Sequence, residues 1–213
     1  MKTIIASQRL VNGAAGREIS ESLDRRWGKF WLQLGWLLIP ASSAIPACQL
    51  MDQCRPSALL LTGGNDLAAV NNNPLSQARD VWERDLLKNA LSRALPVIGI
   101  CRGMQFLVTE CGGSLSRVQG HAAQRHPIAA VGELVPPFQS DDLNRASVPS
   151  FHDFAVSDMP DGMQALARAP DGTVEACVNL DLKSLGIMWH PERETAPDVK
   201  DMNLLQHFLE YTA

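Results

Sequence analysis

The stretch Gly99-Ile100-Cys101-Arg102-Gly103-Met104-Gln105 decides the fold, because it joins a short strand to a helix through a cysteine. Val97 to Ile100 form a β-branched run after Pro96, which predicts a buried strand. Beyond the cysteine, apolar residues recur at helical spacing until Gly112-Gly113. Small residues on both sides suit a sharp turn that exposes the sulfur above a sheet, near a helix N-terminus that favours a thiolate. A core cysteine beside an ordinary turn fits the same residues, so the rest of the chain must decide.

Alternating strand and helix patterns on both sides of this turn predict an α/β protein. Strands are predicted at 3–6, 36–39, 58–61, 97–100 and 185–189, and helices at 17–34, 79–95 and 198–210. Residues 120–150 are rich in proline, glycine and histidine, which indicates short antiparallel strands and loops. We therefore expect a mostly parallel central sheet flanked by helices, with a small antiparallel appendage, in one domain over residues 1–213.

Composition excludes several classes of function. Of the 213 residues, 46% are hydrophobic and 20% charged, which is ordinary for a globular protein. A net charge of -4 argues against a nucleic-acid partner. No apolar run is long enough to span a membrane and no secretory leader is recognisable, so no membrane partner is expected. Five cysteines, an odd number without a regular framework, favour a reducing compartment, and the cytoplasm is the expected location.

A nucleophilic cysteine needs a base, and His190 is the best-placed histidine because it follows a predicted strand. Glu192 lies two residues later, and residues i and i+2 of an extended segment point the same way. Glu192 could therefore orient the imidazole ring, as the third member of a triad does. A surface histidine beside a surface glutamate is the alternative for this pair taken alone.

Several motifs together carry a family resemblance. Gly99-x-Cys101-x-Gly103-x-Gln105 with the downstream Trp189-His190-Pro191-Glu192 resembles the class I glutamine amidotransferase-like family, which has a flavodoxin-like fold. Four more motifs resemble its γ-glutamyl hydrolase branch: Thr62-Gly63-Gly64-x-Asp66, Gly120-His121 with His126, Ser150-Phe151-His152, and Asp171-Gly172-Thr173-Val174-Glu175-Ala176. The resemblance spans nearly the whole chain.

The resemblance implies a catalytic triad of Cys101, His190 and Glu192. It also implies an oxyanion hole made by the backbone N–H groups of Gly64 and Arg102. A glycine at this point, after the strand next to the elbow, lets a substrate oxygen approach closely.

The glutamyl group would be recognised by residues that the same resemblance supplies. Gln105, one helical turn beyond the cysteine, would face the same mouth, and Ser150 and Phe151 match a stretch that binds the α-carboxylate. Asp153-Phe154 stands where γ-glutamyl-aminobutyrate hydrolases commonly have His-Gln. The resemblance therefore leaves undecided which residues of this loop would contact the leaving group.

The expected reaction is hydrolysis of a γ-glutamyl amide through a thioester, with no metal or organic cofactor. Residues 17–30 and 63–67 are similar to short hydrolases of capsule polysaccharide pathways that release cytidine diphosphoramidate from γ-glutamyl-CDP-amidate. Such a polyanionic substrate needs local positive charge, for which Arg9, Arg17 and Arg102 are the candidates. A γ-glutamyl-aminobutyrate-type hydrolase and a glutaminase subunit that passes ammonia to a synthase partner are the alternatives. The sequence does not decide whether the protein forms a homodimer.

Three further histidines, His121, His126 and His152, raise the question of a metal. None lies at i+2 or i+4 from another, so they lack the spacing of a local metal motif. We expect structural or pocket-lining roles and no metal.

Overall fold

The computed structural model describes residues 1–13 and 16–213 and has a nine-stranded sheet at its centre. The strands are β1 (Lys2–Ala6), β2 (Arg9–Asn12), β3 (Ile19–Ser22), β4 (Trp36–Pro40), β5 (Ala58–Leu61), β6 (Val97–Ile100), β7 (Ser114–Arg117), β8 (Gln124–Ala130), β9 (Arg145–Ser150), β10 (Phe154–Asp158), β11 (Gln164–Arg168), β12 (Val174–Asn179) and β13 (Ser184–Ile187). The helices are α1 (Arg26–Gln33), α2 (Ala47–Cys54), α3 (Pro74–Ser92), α4 (Arg102–Glu110), α5 (Ser140–Leu143) and α6 (Val199–Tyr211).

The central sheet has the order β4-β1-β5-β6-β13-β12-β11-β8-β9. Its first five strands are parallel, and the pairs from β13 to β9 are antiparallel. Two small antiparallel pairs, β2-β3 and β7-β10, complete the structure. The predicted α/β fold class, with its parallel sheet and antiparallel addition, is confirmed.

Helices cover both faces of the parallel strands. Alternate strand residues divide between two apolar clusters, as the pleat requires: Ile4, Ala6, Ala58 and Leu60 pack with α1 and α6, while Ile5, Leu59 and Leu61 pack with α2, α3 and α4. Because both faces are covered, all four residues of β5 and of β6 are buried. This explains the continuously apolar sequence of both strands.

The predicted helix at 17–34 is wrong over its first half. The strand β3 lies there and pairs with β2 as an antiparallel hairpin, and α1 begins only at Arg26. The helical periodicity rested on Trp27, Phe30 and Trp31, which are buried, whereas Ile19–Ser22 pairs with the first strand of the hairpin. The predicted helix was therefore extended too far toward the N-terminus, over residues that form a strand.

Two other helices differ from their predictions. The helix α3 begins at Pro74 rather than at residue 79, because the Asn73 side chain accepts hydrogen bonds from the N–H groups of Leu75 and Ser76. The helix α2 was not predicted. Within the described part of the chain, no helix combines the length and apolar character needed to cross a bilayer.

Candidate active site

The cysteine elbow lies at the carboxyl edge of the parallel strands. Cys101 follows β6 with φ 53° and ψ -106° and is the N-cap of α4, a conformation that side chains rarely adopt. Its N–H donates to Ile187 O at 2.7 Å, which joins the turn to β13. Cys101 as a whole is 7% exposed, so the expectation of an exposed cysteine above the sheet is wrong. Gly63 and His190 lie over it.

His190 reaches this cysteine because β13 is the neighbour of β6 in the sheet. Its Nδ1 is 2.7 Å from Glu192 Oε1, and Cys101 lies on the side of the ring that faces Gly63. Both His190 and Glu192 are buried. The ring therefore has a carboxylate on one nitrogen and a thiol on its other side, which is the geometry that a base in nucleophilic catalysis requires.

The charge of His190 follows from these neighbours. Burial alone lowers the pKa of His190, but the neighbouring side chains of Cys101 and Glu192 together raise the pKa of His190 to about 9. The imidazolium form of His190 is thus favoured at neutral pH, beside the Cys101 side chain. A thiolate–imidazolium pair is the reactive form of a cysteine nucleophile.

The loop after β5 approaches the same point from the other side of β6. A Cβ placed on Gly63 would lie 2.8 Å from His190 Cε1 and 3.7 Å from Cys101 Cβ, so only glycine fits there. The next residue, Gly64, has φ +83°, which also favours glycine. Three neighbouring strands thus bring Gly63-Gly64, Cys101 and His190 together.

The Arg79 side chain binds the backbone of this loop, a contact that the sequence did not predict. Its guanidinium is fully buried and donates to Thr62 O at 2.8 Å, Gly63 O at 3.1 Å and Gly64 O at 2.7 Å. These three hydrogen bonds stabilise one orientation of the loop backbone.

The sequence signal for such a role is an arginine on the apolar face of a predicted amphipathic helix. Arginine is almost never buried without partners, so an arginine at that position indicates a buried polar contact.

The Arg102 guanidinium does not reach the cleft. It is 2% exposed and pairs with Asp80 and Glu83 in a buried network that includes Arg79. Although burial opposes ionisation, the two arginines hold the pKa of Glu83 below its ordinary value. The expectation that the Arg102 side chain binds substrate phosphate is therefore wrong, because its charge is already compensated. Only its backbone N–H, at the start of α4, is open to a role in catalysis.

The residues expected to recognise the glutamyl group lie around the same site. Gln105 is buried, and its Nε2 donates to Phe154 O at 2.8 Å, so this NH₂ group is used within the protein. Ser150 is fully buried, and its Oγ has no hydrogen-bond partner among the described residues. Phe151 is 42% exposed and packs edge-on against His190, with ring centroids 5.6 Å apart.

A cleft of about 290 Å³ opens beside His190, Glu192 and Gly64. The missed β2-β3 hairpin forms one wall, and Arg9 of this hairpin lies against Gly64. Asn65 ties the hairpin to the Gly63-Gly64 loop, since its amide exchanges hydrogen bonds with the N–H and the carbonyl of Leu10. Arg17 is exposed and is not among the described residues that line this cleft.

A second cleft begins at Arg193, which lines both. Its other basic residues are Arg26 and Arg125, and its exposed ring is Phe151, over which Arg193 stacks at 4.2 Å. Arg26 hydrogen-bonds to Asp24 and holds the pKa of that carboxyl at about 2. The two clefts together are lined by four arginine side chains, those of Arg9, Arg26, Arg125 and Arg193.

Comparison with known proteins agrees with this geometry. The sequence profile of Peptidase C26 matches residues 36–192, which include both the elbow and the His190–Glu192 pair. The chain belongs to the peptidase C26 family. The family match therefore covers the parallel strands that carry the site.

Individual relatives extend the match beyond that range. A γ-glutamyl-CDP-amidate hydrolase of Campylobacter jejuni is 29% identical over 88% of this chain and 88% of its own length. A glutamine-hydrolysing GMP synthase of Thermus thermophilus is 31% identical over 73% of this chain but only 28% of its own length. The structure of a glutamine amidotransferase from Thermotoga maritima superposes with a TM-score of 0.68 at 15% identity, over 99% of this chain and 97% of that one, which shows the shared fold.

Proposed function

We propose that this peptidase C26 protein hydrolyses γ-glutamyl amides through a thioester on Cys101. The observation that carries the proposal is the placement of Cys101 on a strained turn beside His190, with His190 Nδ1 2.7 Å from Glu192 Oε1. The name of the Campylobacter jejuni relative supports the γ-glutamyl specificity. The five free cysteines of the described chain fit the reducing cytoplasm in which a thiolate enzyme would work.

The reaction follows from the order of these groups. The Cys101 thiolate attacks the γ-carbonyl carbon, and the N–H groups of Gly64 and Arg102 stabilise the oxyanion. His190 Nε2 gives its proton to the leaving nitrogen as the C–N bond breaks, which leaves the γ-glutamyl thioester. Neutral His190 then takes a proton from water, hydroxide attacks the thioester, and glutamate leaves as the thiolate reforms.

We place the glutamyl group of the substrate next to Ser150 and Phe151. We assign the α-carboxylate to the Ser150-Phe151 backbone and to Ser150 Oγ, which has no partner among the described residues. The Gln105 NH₂ group donates to Phe154 O and to Met188 Sδ, so Gln105 Oε1 is the atom that we assign to accept a hydrogen bond from the α-ammonium group.

The arginines of the two clefts favour a substrate whose leaving group carries phosphate. Arg9 forms no ion pair with any described residue and lies against Gly64, next to the scissile bond. Arg193 lines both clefts, and its Nε lies 3.4 Å from Glu192 Oε1, so Arg9 is the arginine of the first cleft that has no carboxylate partner among the described residues. We infer that γ-glutamyl-CDP-amidate is the substrate, with its diphosphate along these arginines.

Substrate comparison tests this inference. We expect kcat/KM for γ-glutamyl-CDP-amidate to exceed that for γ-glutamyl-aminobutyrate and for glutamine by tenfold or more, about 1.4 kcal/mol of transition-state binding. Arg9→Gln should lower kcat/KM for the nucleotide amidate about tenfold and leave the other two substrates unchanged. Arg17→Gln, an exposed arginine outside the cleft, is the matched control. A preference for the small-amine substrate would disprove the nucleotide assignment and keep the hydrolase.

A glutaminase subunit is the second candidate, because the glutamine-hydrolysing GMP synthase of Thermus thermophilus matches 73% of this chain. Such a subunit should turn over slowly when purified alone and faster with a synthase partner. Glutaminase assays with and without cell extract distinguish the two candidates.

Replacement of Glu192 tests the role of the carboxylate through the pH profile. Protonated His190 is required to release the nitrogen, so kcat/KM of the wild type should fall as pH rises through about 9. In Glu192→Gln the pKa of His190 loses one of the causes that raise it, so this alkaline limb should move to lower pH. We expect kcat to drop roughly 10²- to 10⁴-fold.

The control for this variant is Glu194→Gln, two residues away, where the carboxylate pairs with Arg125 at the surface. It should retain the profile and the rate of the wild type. An unshifted alkaline limb in Glu192→Gln would remove Glu192 from the triad.

A further inference from the structure

Three histidines and a glutamate that are far apart in sequence meet on the antiparallel side of the sheet. This histidine–glutamate cluster consists of His121, His126, His152 and Glu175, and one ligand atom from each lies within 4.8 Å of all the others. His121, His152 and Glu175 are buried, and His126 is nearly so. The cluster is distinct from Cys101 and its base.

The outward nitrogen of each ring is held by an oxygen that can only accept. These contacts are His121 Nε2 to Asp171 Oδ2 at 2.9 Å, His126 Nδ1 to Pro127 O at 3.1 Å, and His152 Nδ1 to Phe154 O at 3.1 Å. A backbone carbonyl or an ionised carboxylate can only accept a hydrogen bond, so the ring nitrogen that contacts it must be the donor. The proton of each neutral ring is therefore on its outward nitrogen. Each inward nitrogen then presents a lone pair.

The centre of the cluster therefore contains acceptors without a donor. The inward nitrogens, His121 Nδ1, His126 Nε2 and His152 Nε2, and both Glu175 oxygens are buried without a hydrogen-bond partner among the described residues. Glu175 is 0% exposed and, in the described chain, pairs with no lysine or arginine. A buried carboxylate without a compensating positive charge is strongly unfavourable, so the centre needs either a metal ion or protons shared among these groups.

The distances from Glu175 Oε1 to the three histidine nitrogens match metal coordination better than shared protons. Glu175 Oε1 lies 3.3 Å from His121 Nδ1, 3.4 Å from His152 Nε2 and 3.7 Å from His126 Nε2. A hydrogen bond between a nitrogen and an oxygen is typically about 2.9 Å long. In a tetrahedral zinc site with ligands about 2.0–2.1 Å from the metal, neighbouring ligand atoms are about 3.3 Å apart.

We propose that the histidine–glutamate cluster binds a divalent transition-metal ion, and that Zn²⁺ is its best match. Three imidazoles and one carboxylate are a donor set that zinc accepts, and they would fill its four tetrahedral positions. The outward contacts are the second-shell partners that fix the ring orientation of ligating histidines. With four protein ligands the site is closed, which is typical of a structural metal.

The metal would fix the loop that carries the glutamyl-binding residues. His152 follows Phe151 directly, and the Phe154 carbonyl accepts from both His152 Nδ1 and Gln105 Nε2. Glu175 lies in β12, and its carbonyl accepts from Met188 N–H, two residues before His190. Binding at the cluster thus joins the loop at 150–153 to the strands beside the elbow.

Metal content of the purified protein tests the proposal. The protein should carry no histidine tag and should have the Cys101→Ala substitution, because a Cys101–His190 pair could itself bind zinc. After chelator treatment, reloading with Zn²⁺ and desalting, elemental analysis should give about one zinc per chain. Glu175→Gln and His152→Gln should each lose most of it, whereas His207→Gln, a partly exposed histidine beside Asp142, should keep it.

Two measurements keep the proposal falsifiable if a cluster variant does not fold. Titration of the chelator-treated Cys101→Ala protein with Zn²⁺ should raise its Tm until about one equivalent is bound. Cobalt(II) in the same protein should give the intense visible bands of a tetrahedral ion, without a thiolate charge-transfer band. No zinc uptake, no rise in Tm, or zinc retained in a folded Glu175→Gln variant would overturn the proposal, the first two in favour of a cluster that shares protons.

Discussion

Cys101→Ala is expected to lower kcat/KM for any γ-glutamyl amide by roughly 10⁴-fold or more. No other nucleophile lies beside His190 in the described site, and the oxyanion groups alone leave only a small residual rate. The loss should not come from unfolding. Alanine removes only one sulfur atom and meets the same φ of 53° as cysteine, so the Tm should change by a few degrees at most.

Steady-state assays and thermal unfolding of the two proteins measure both effects. Mass spectrometry of the wild type quenched during turnover should show a glutamyl adduct that is absent from the variant. Cys111→Ala is the matched control, because burial raises the pKa of the Cys111 thiol and it lies at the far end of α4. If Cys101→Ala kept more than about a tenth of the activity, a thioester on Cys101 would be ruled out as the main route.

Local features of the chain were predicted well because neighbouring residues determine them. The strand, turn and helix around Cys101 follow from a β-branched run, small residues and one helical repeat within about fifteen positions. The parallel strands β5 and β6 were equally clear, since burial on both faces leaves an uninterrupted apolar sequence.

Two features beside the cleft were not predicted, for different reasons. The hairpin of Arg9–Asn12 and Ile19–Ser22 carries a wall of the cleft, but Ile19–Ser22 comes just before the apolar repeat of α1 and was included in the predicted helix. Arg79 was missed because its three carbonyl partners belong to a loop that precedes its helix, and sequence spacing does not show that contact.

The histidine–glutamate cluster shows the same limit for chemistry. A search for metal ligands at close spacing rejects His121, His126 and His152, because that spacing describes sites built on one helix or one turn. Here the ligands come from two strands and two loops, which only the folded sheet brings within 4.8 Å. Sequence spacing can support a local metal site, but it cannot exclude one assembled by the fold.

Gly103→Ala is expected to be the most destabilising single-methyl change near the site. A Cβ on Gly103 would lie 2.1 Å from Leu61 O and 2.7 Å from Leu61 C, and both atoms belong to the backbone of β5. The strand cannot yield without disturbing its pairing with β1 and β6, so α4 must move away from the sheet. We expect a loss of roughly 3 kcal/mol or more in the free energy of unfolding and a Tm lower by about 10 °C.

Gly28→Ala provides a matched control, since Gly28 also lies in the first turn of a helix. A Cβ added at Gly28 would have no atom within 4 Å. Alanine favours a helix over glycine by up to about 1 kcal/mol, so this variant should be as stable as the wild type or slightly more stable. Because the movement of α4 carries Cys101 with it, Gly103→Ala should also lose hydrolysis at temperatures where it is still folded, while Gly28→Ala should not. Equal Tm values for the two variants would mean that α4 does not pack on β5 at Gly103, and the placement of α4 against that strand would have to be revised.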